Sequence, residues 1–312
     1  MILTLLAALA LQDLEFTQDG ARYRISRGDV YQFENGQWKL LQKLYDPDYY
    51  AKNYVSKEGR IYQQADGQLY ETKKSFSAGF ENGKRIHDLM DLKDGWTSFA
   101  LQSPKAPTVK DYVALRQRIL KGESDFVDNR IDLAALDGRR ALKFTSVAKS
   151  SDMVCSKTSI STEMMHFRKG DDLWFAASYY AAEGMPQTVV DFETTWVEGH
   201  PGPRVYIDEA DLARVELKWS ANKAEYRQDR RSALKVPRKK WVRLRVHLKL
   251  SEKEDGVVQV WQDGVKIIDA KGQNLPLADT VLNILEVGVS ANHNATTLYV
   301  DVVVMSDKPI KE

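Results

Sequence analysis

The sequence predicts an all-β protein: a sandwich of two antiparallel sheets, preceded by a small β-meander and one helix. Three observations carry this reading. Trp241-Val242-Arg243-Leu244-Arg245-Val246-His247-Leu248 alternates polar and apolar residues, the two-residue period of a half-buried strand. Val257-Val258-Gln259-Val260-Trp261-Gln262 repeats the alternation and runs into Asp263-Gly264, a pair that accepts the positive φ angles of a tight hairpin turn. Short β-branched and aromatic runs, separated by Gly and Pro, fill the chain from residue 124 onward and suit two packed sheets.

In chain order, residues 1–10 are apolar but too short to span a bilayer, and Ala8-Leu9-Ala10 fits a small-x-small cleavage pattern. Residues 1–12 are therefore read as a signal peptide and the protein as exported, to the medium, the periplasm or the cell surface, although no Lys or Arg precedes the run. Residues 13–80 hold an internal repeat, Gly28-Asp29-Val30-Tyr31-Gln32-Phe33-Glu34-Asn35-Gly36-Gln37-Trp38 against Gly59-Arg60-Ile61-Tyr62-Gln63-Gln64-Ala65-Asp66-Gly67-Gln68-Leu69. Each copy reads as strand, turn, strand, and residues 16–23 look like a degenerate third hairpin. The aromatics of this meander serve as its core or, alternatively, as stacking surfaces for sugar rings.

Residues 81–123 form a connection that contains the single helix, at 108–121. Val109, Tyr112, Val113, Arg116 and Ile119-Leu120 fall at helical spacing, Thr108 can cap the start and Gly122 the end, and the helix is expected to pack outside the sandwich. The second domain is placed at 124–312. Its strands are expected at 141–147, 158–167, 172–180, 187–196, 204–207, 214–219, 224–228, 241–250, 257–262, 266–269, 284–290 and 298–305. Trp261 is expected to be buried in its strand.

At 312 residues and 43% apolar content the chain can bury a large core. Lys+Arg 45 against Asp+Glu 44 leaves no global field to attract nucleic acid or an anionic membrane, and no run is long enough to span one. The lone Cys155 cannot form an internal disulfide, and Asn294-Ala295-Thr296 is a glycosylation acceptor pattern. No nucleotide-binding loop, Ser-His-Asp arrangement or Cys/His metal spacing is present. Oligomeric state is left open.

The succession of Trp241 strand, Asp263-Gly264 strand and late Leu298-Tyr299-Val300-Asp301-Val302-Val303-Val304 strand resembles the end of concanavalin A-like jelly rolls, the sandwich of legume lectins, many glycanases and several polysaccharide lyases. Further residues resemble the polysaccharide-lyase branch, of heparin lyase I and glucuronan lyase type. They are Ser161-Thr162-Glu163, then Lys169-Gly170-Asp171-Asp172-Leu173-Trp174-Phe175-Ala176-Ala177-Ser178-Tyr179-Tyr180, the Pro186 turn and Asp191-Phe192-Glu193. The resemblance spans about residues 124–308 and implies a glycan as partner, bound on the outward side chains of a concave sheet. The chain departs from it where that branch often carries Gln-aromatic-His and this one has Asp191-Phe192-Glu193.

Asp191 and Glu193 lie two apart and point to one face of their strand, with Val190 and Phe192 turned to the core. A lyase of a uronate polymer needs a base and a group that neutralises the substrate carboxylate, and this acidic pair would repel a uronate. The neighbouring strands supply what is missing: Arg204, Tyr206, Lys218, Tyr226 and Gln228, with Lys218 or Arg204 placed to stabilise a Tyr206 phenolate. The candidate catalytic residues are Tyr206, Lys218, His200 and Glu193, and the candidate substrate-binding residues are Glu163, Asp191, Arg204, Tyr226 and Gln228. His200 belongs to the loop Gly199-His200-Pro201, His166 reads as a core or sheet-edge residue, and His247 shares a solvated basic face with Arg243, Arg245 and Lys249.

Three functions follow. The first is an exported lyase that cleaves a uronate-containing glycan by β-elimination. The second is a non-catalytic glycan-binding module of the same fold. The third is a retaining glycosidase using Asp191 and Glu193, whose carboxyls would need to lie about 5–5.5 Å apart. The same pair could instead hold Ca²⁺ with neighbouring carbonyls, or be neutralised by Arg204, Lys218 or Arg227.

Overall fold

The computed structural model describes residues 14–311 except 19, 27–28, 43–48, 66, 82, 92–94, 196–200 and 220–223. The expected signal peptide and His200 lie outside the described residues. The N-terminal repeat forms two separate small sheets rather than one meander. Strands β1 (Leu14–Gln18), β2 (Ala21–Ser26), β3 (Asp29–Glu34) and β4 (Gln37–Gln42) make the first; after helix α1 (Tyr49–Asn53), β5 (Tyr54–Lys57), β6 (Arg60–Ala65) and β7 (Gln68–Glu71) make the second. The β3–β4 turn is Asn35-Gly36, both at positive φ (51° and 80°), the geometry that a two-residue hairpin requires.

The sandwich starts earlier than residue 124. Strands β8 (Ser75–Ala78) and β9 (Ser98–Gln102) already pair into its sheets, because each finds an unpaired edge there that a loop could not satisfy. Helix α2 (Val109–Leu120) follows, capped by Thr108, whose hydroxyl accepts the Asp111 N–H while Asp111 reaches back to the Thr108 N–H. Next come β10 (Arg130–Leu136), β11 (Arg139–Ser146), β12 (Ser156–Thr162), β13 (Asp172–Glu183) and β14 (Thr188–Glu193). The remainder are β15 (Pro203–Ile207), β16 (Ala213–Leu217), β17 (Glu225–Tyr226), β18 (Val242–Lys249), β19 (Val257–Gln262), β20 (Val265–Lys271), β21 (Ile284–Asn292) and β22 (Thr296–Ser306).

They form two antiparallel sheets. The seven-stranded sheet runs β17-β16-β15-β14-β21-β12-β9; the eight-stranded sheet runs β10-β11-β22-β13-β18-β19-β20, with β8 also on β22. Alternate residues of both sheets meet between them: Phe99, Ile160, Phe192, Val205, Val215 and Leu285 from one, Phe144, Phe175, Val246, Val258 and Val260 from the other, all buried. Phe175 and Phe192 cross the layer edge to face, with centroids 5.5 Å apart. Asp191 and Glu193 therefore project from the outer face, as the alternation predicts.

Trp261 does not follow its expectation. Val258 and Val260 take the inward positions of β19, so period two sends Trp261 to the outer face of the eight-stranded sheet, half-buried beside Trp174 and Arg245. Helix α2 runs along the β9 edge of the other sheet, with Leu115 and Ile119 reaching the core. The second small sheet docks on the sandwich through Tyr54, which packs with Leu217, Trp219 and Val281.

Candidate functional site

The strand registers of the seven-stranded sheet carry one line of outward side chains across it. Glu216 faces Arg204, Arg204 faces Asp191, Asp191 faces Glu286, Glu286 faces Ser161, and Ser161 faces Ser98. Helix α2 closes this row, because Arg116 donates to the Ser98 hydroxyl and to the Phe99 carbonyl. The pattern is polar because the opposite faces of these strands are spent on the core.

Five charged groups dominate the middle. Lys218 Nζ contacts the Glu193 carboxylate directly and lies 3.7 Å from Asp191 Oδ1. Lys157 Nζ lies 2.7 Å from Glu286 Oε2. Burial would lower Lys218, but Glu193 and Asp191 more than offset this and hold its ammonium above the ordinary lysine value. The same opposition, led on the favourable side by Glu286, raises Lys157. Burial pushes the Glu286 carboxyl up, Lys157 counters it, and Glu193 and Asp191 add to the rise.

Asp191, Glu193 and Glu286 are almost fully buried, and each lies against a lysine whose side chain keeps more of its surface. The repulsion expected between the acidic pair and a uronate is offset by the Lys218 ammonium paired with it. That ammonium also takes the place a Ca²⁺ would fill between Asp191 and Glu193, and among the described residues no group of three or more His, Cys, Asp or Glu is arranged to hold a metal ion.

Tyr206 stands one row away. Its ring lies 4.4 Å from the Arg214 guanidinium and 5.7 Å from that of Arg204, which in turn pairs with Glu216 at 2.8 Å. The expected partnership of Tyr206 with Lys218 is not formed: their backbone positions differ by four residues along the strand pair, roughly 13 Å. Arginine, not lysine, flanks the phenol.

Two expected binding residues face elsewhere. Val215 is a core residue and pairs with Tyr226, so Tyr226 also turns inward, and its hydroxyl donates to the Gln273 carbonyl at 2.6 Å. Gln228 is buried, donating to the Ala213 and Leu234 carbonyls and accepting the Leu234 N–H. A one-residue error of register in the short β17 reverses every side chain on it. The outward residue is Glu225, bound to Arg214 and Arg227. Glu163 lies just past β12, half-buried, with its N–H on the Thr97 hydroxyl and its charge acting on Arg116.

Lys157 and Glu286 escaped sequence reasoning, which offered Arg214 only as a neighbour of the site and read Tyr112 and Cys155 for other roles. Tyr112, on α2, lies within the field of Lys157, Glu286 and Glu193, and burial pushes its hydroxyl up. Cys155 lies near Lys157 and Arg204, and burial pushes its thiol up. Period-two counting from Thr158 and Ile160 would have found Lys157. Glu286 stands out as the one charge in the apolar run Ile284–Val289.

A family model described as polysaccharide lyase matches residues 94–303, the stretch holding this entire row and helix α2. The chain belongs to that family. Among solved structures, endo-β-1,4-glucuronan lyase from the fungus Trichoderma reesei is similar at 11% identity over 68% of this chain and 95% of its own, with TM-score 0.47. Cellulose induced protein Cip1 aligns at 13% identity over 76% and 99%, TM-score 0.49. The PL-14 alginate lyase of Aplysia kurodai aligns at 10% over 67% and 98%, TM-score 0.39. No protein of curated function matches the chain in sequence.

Proposed function

We propose that this polysaccharide-lyase family member is an exported enzyme that cleaves a uronate-bearing glycan by β-elimination on the outer face of its seven-stranded sheet. The observation that carries the reading is the pairing of Lys218 with Glu193 and Asp191, and of Lys157 with Glu286, on this face. The lysines offset the acidic charge that a uronate would otherwise meet there, and the carboxylates keep the lysines charged.

β-Elimination breaks the C–H bond alpha to the uronate carboxylate and the C–O bond to the leaving sugar, and leaves a carbon–carbon double bond without consuming water. Neutralising the carboxylate makes that proton acidic enough to remove. Lys218, Lys157 and Arg204 supply the positive charge. Tyr206, between Arg204 and Arg214, is the proton-transfer group. His200, which lies between β14 and β15 in sequence, is the second candidate. Glu193 and Asp191 act through Lys218 as positioning residues. Glu163 and Arg116 bound the far end of the row.

Tyr206→Phe and Lys218→Ala should each lower the formation of unsaturated ends on a uronate polymer by about 10²-fold or more. Circular dichroism should show both variants folded. Full activity in both would remove this mechanism. Activity lost in Glu193→Gln with new reducing ends but no new unsaturated ends in the wild type would assign a hydrolase instead.

A further inference from the structure

The outer face of the other, eight-stranded sheet carries an aromatic and cationic surface separate from the charged row. Trp174 on β13 stacks on His247 at 4.1 Å and 11°, and on Trp261 at 5.8 Å and 23°. The Arg245 guanidinium lies 4.5 Å over the Trp261 ring. Ala176 pairs with Arg245 across the strands and leaves space for it. These contacts hold the Trp261 indole as a fixed plate on a surface whose core positions are already filled by Val258 and Val260.

Beside that plate is a pocket of about 170 Å³ lined by Arg243, Arg245, Trp261, Asp263, Gly264 and Lys311. Three cations line it against one carboxylate. Asp263 Oδ1 is engaged by the Arg243 backbone N–H at 2.8 Å, which ties it to the β19–β20 turn. A pocket this small takes a single ring rather than a larger ligand. An indole plate favours the apolar face of a sugar, and the surrounding cations favour one bearing a carboxylate.

The surface continues beyond the pocket. Tyr180 lies 5.6 Å from Trp241 and 6.0 Å from Tyr299, and Arg139 and Lys143 lie over Trp241 and Tyr299 at 5.1 and 5.9 Å. Tyr180 is six residues along β13 from Trp174, roughly 20 Å. That length fits a chain better than a free sugar.

We propose that the Trp261 pocket binds an acidic sugar residue of a polysaccharide chain, as a second glycan site on the sheet opposite the charged row. The ligand's acidity is inferred from the pocket's own cations, so the site stands whether or not the charged row is a lyase site.

Affinity electrophoresis through gels containing polyglucuronate, alginate or neutral dextran tests this. The wild type should be retarded by at least one uronate polymer and not by dextran. Trp261→Ala and Arg245→Gln should each weaken that retardation about tenfold, while turnover of short soluble oligosaccharides stays at the wild-type level. Lys218→Ala should keep the retardation, which separates this pocket from the charged row. Wild-type retardation in both folded pocket variants, equal retardation by dextran, or retardation lost only in Lys218→Ala would overturn the proposal. If Trp261→Ala fails to fold, Arg245→Gln combined with Lys311→Ala decides by the same criterion.

Discussion

Lys157 holds together a part of the sheet that electrostatics would otherwise push apart. Glu286 is buried opposite Asp191 and two residues from the line of Glu193, and the Lys157 ammonium is the cation beside it. Removing one member of a buried pair leaves the other charge uncompensated. Lys157→Met should therefore cost about 3–5 kcal/mol at neutral pH. Because the Glu286 carboxyl is already raised, the folded state holds its proton more tightly than the unfolded one, so the loss should shrink towards about pH 5. Urea melts at the two pH values measure this, and an equal loss at both would contradict it. His166 makes the opposite prediction. Burial, with Arg168 and Lys74 nearby and Asp171 and a backbone hydrogen bond acting against them, lowers the imidazole from 6.5 to about 4, and its Nε2 lies 3.2 Å from the Tyr50 hydroxyl. The unfolded chain binds the proton first as pH falls, so stability should drop between about pH 6.5 and 4 by up to about 3 kcal/mol. His166→Asn should flatten that limb of the stability curve; an unchanged slope would place the titration elsewhere.

At the scale of elements, alternation decides which residues fail gracefully. Phe192 lies wholly between the sheets against Phe175, so Phe192→Ala should cost about 3–5 kcal/mol. Trp261 lies on an outer face, and Trp261→Ala should cost no more than about 1–2 kcal/mol, the worth of its stacking and cation contacts. Paired thermal melts test the ordering, and a larger loss at Trp261 would reverse it. Strands with long alternation, such as β14 and β18, were legible because each has one face of each kind. The faces of Tyr226 and Gln228 were not, since β17 has two residues and its register comes from pairing with β16. Strands β8 and β9 were hidden for a related reason: their neighbours in the sheets are distant in sequence. Strand β10 was missed although it forms a hairpin with β11 across Asp137-Gly138, a local turn signal. Helix α2 was legible down to its Thr108 cap, because caps and spacing are local signals.

For the whole molecule, the two sheets divide the work. The seven-stranded sheet spends its inner face on the core and its outer face on a charged row, and the family match covers that sheet from β9 to β21. The sequence contained the residues of the row but not their pairing, since which lysine meets which carboxylate depends on side chains reaching across strands. Among the described residues no helix is long and apolar enough to cross a membrane. β-Elimination of a uronate glycan creates one unsaturated end for every new reducing end, and counting both decides whether it occurs. The wild-type protein is incubated with glucuronan, alginate and a neutral glucan while ultraviolet absorbance of unsaturated ends and total reducing ends are followed together. Both should rise in equal amounts with at least one uronate polymer, and neither should rise with the neutral glucan; reducing ends without unsaturated ends, or no new ends with any uronate polymer, would rule out β-elimination.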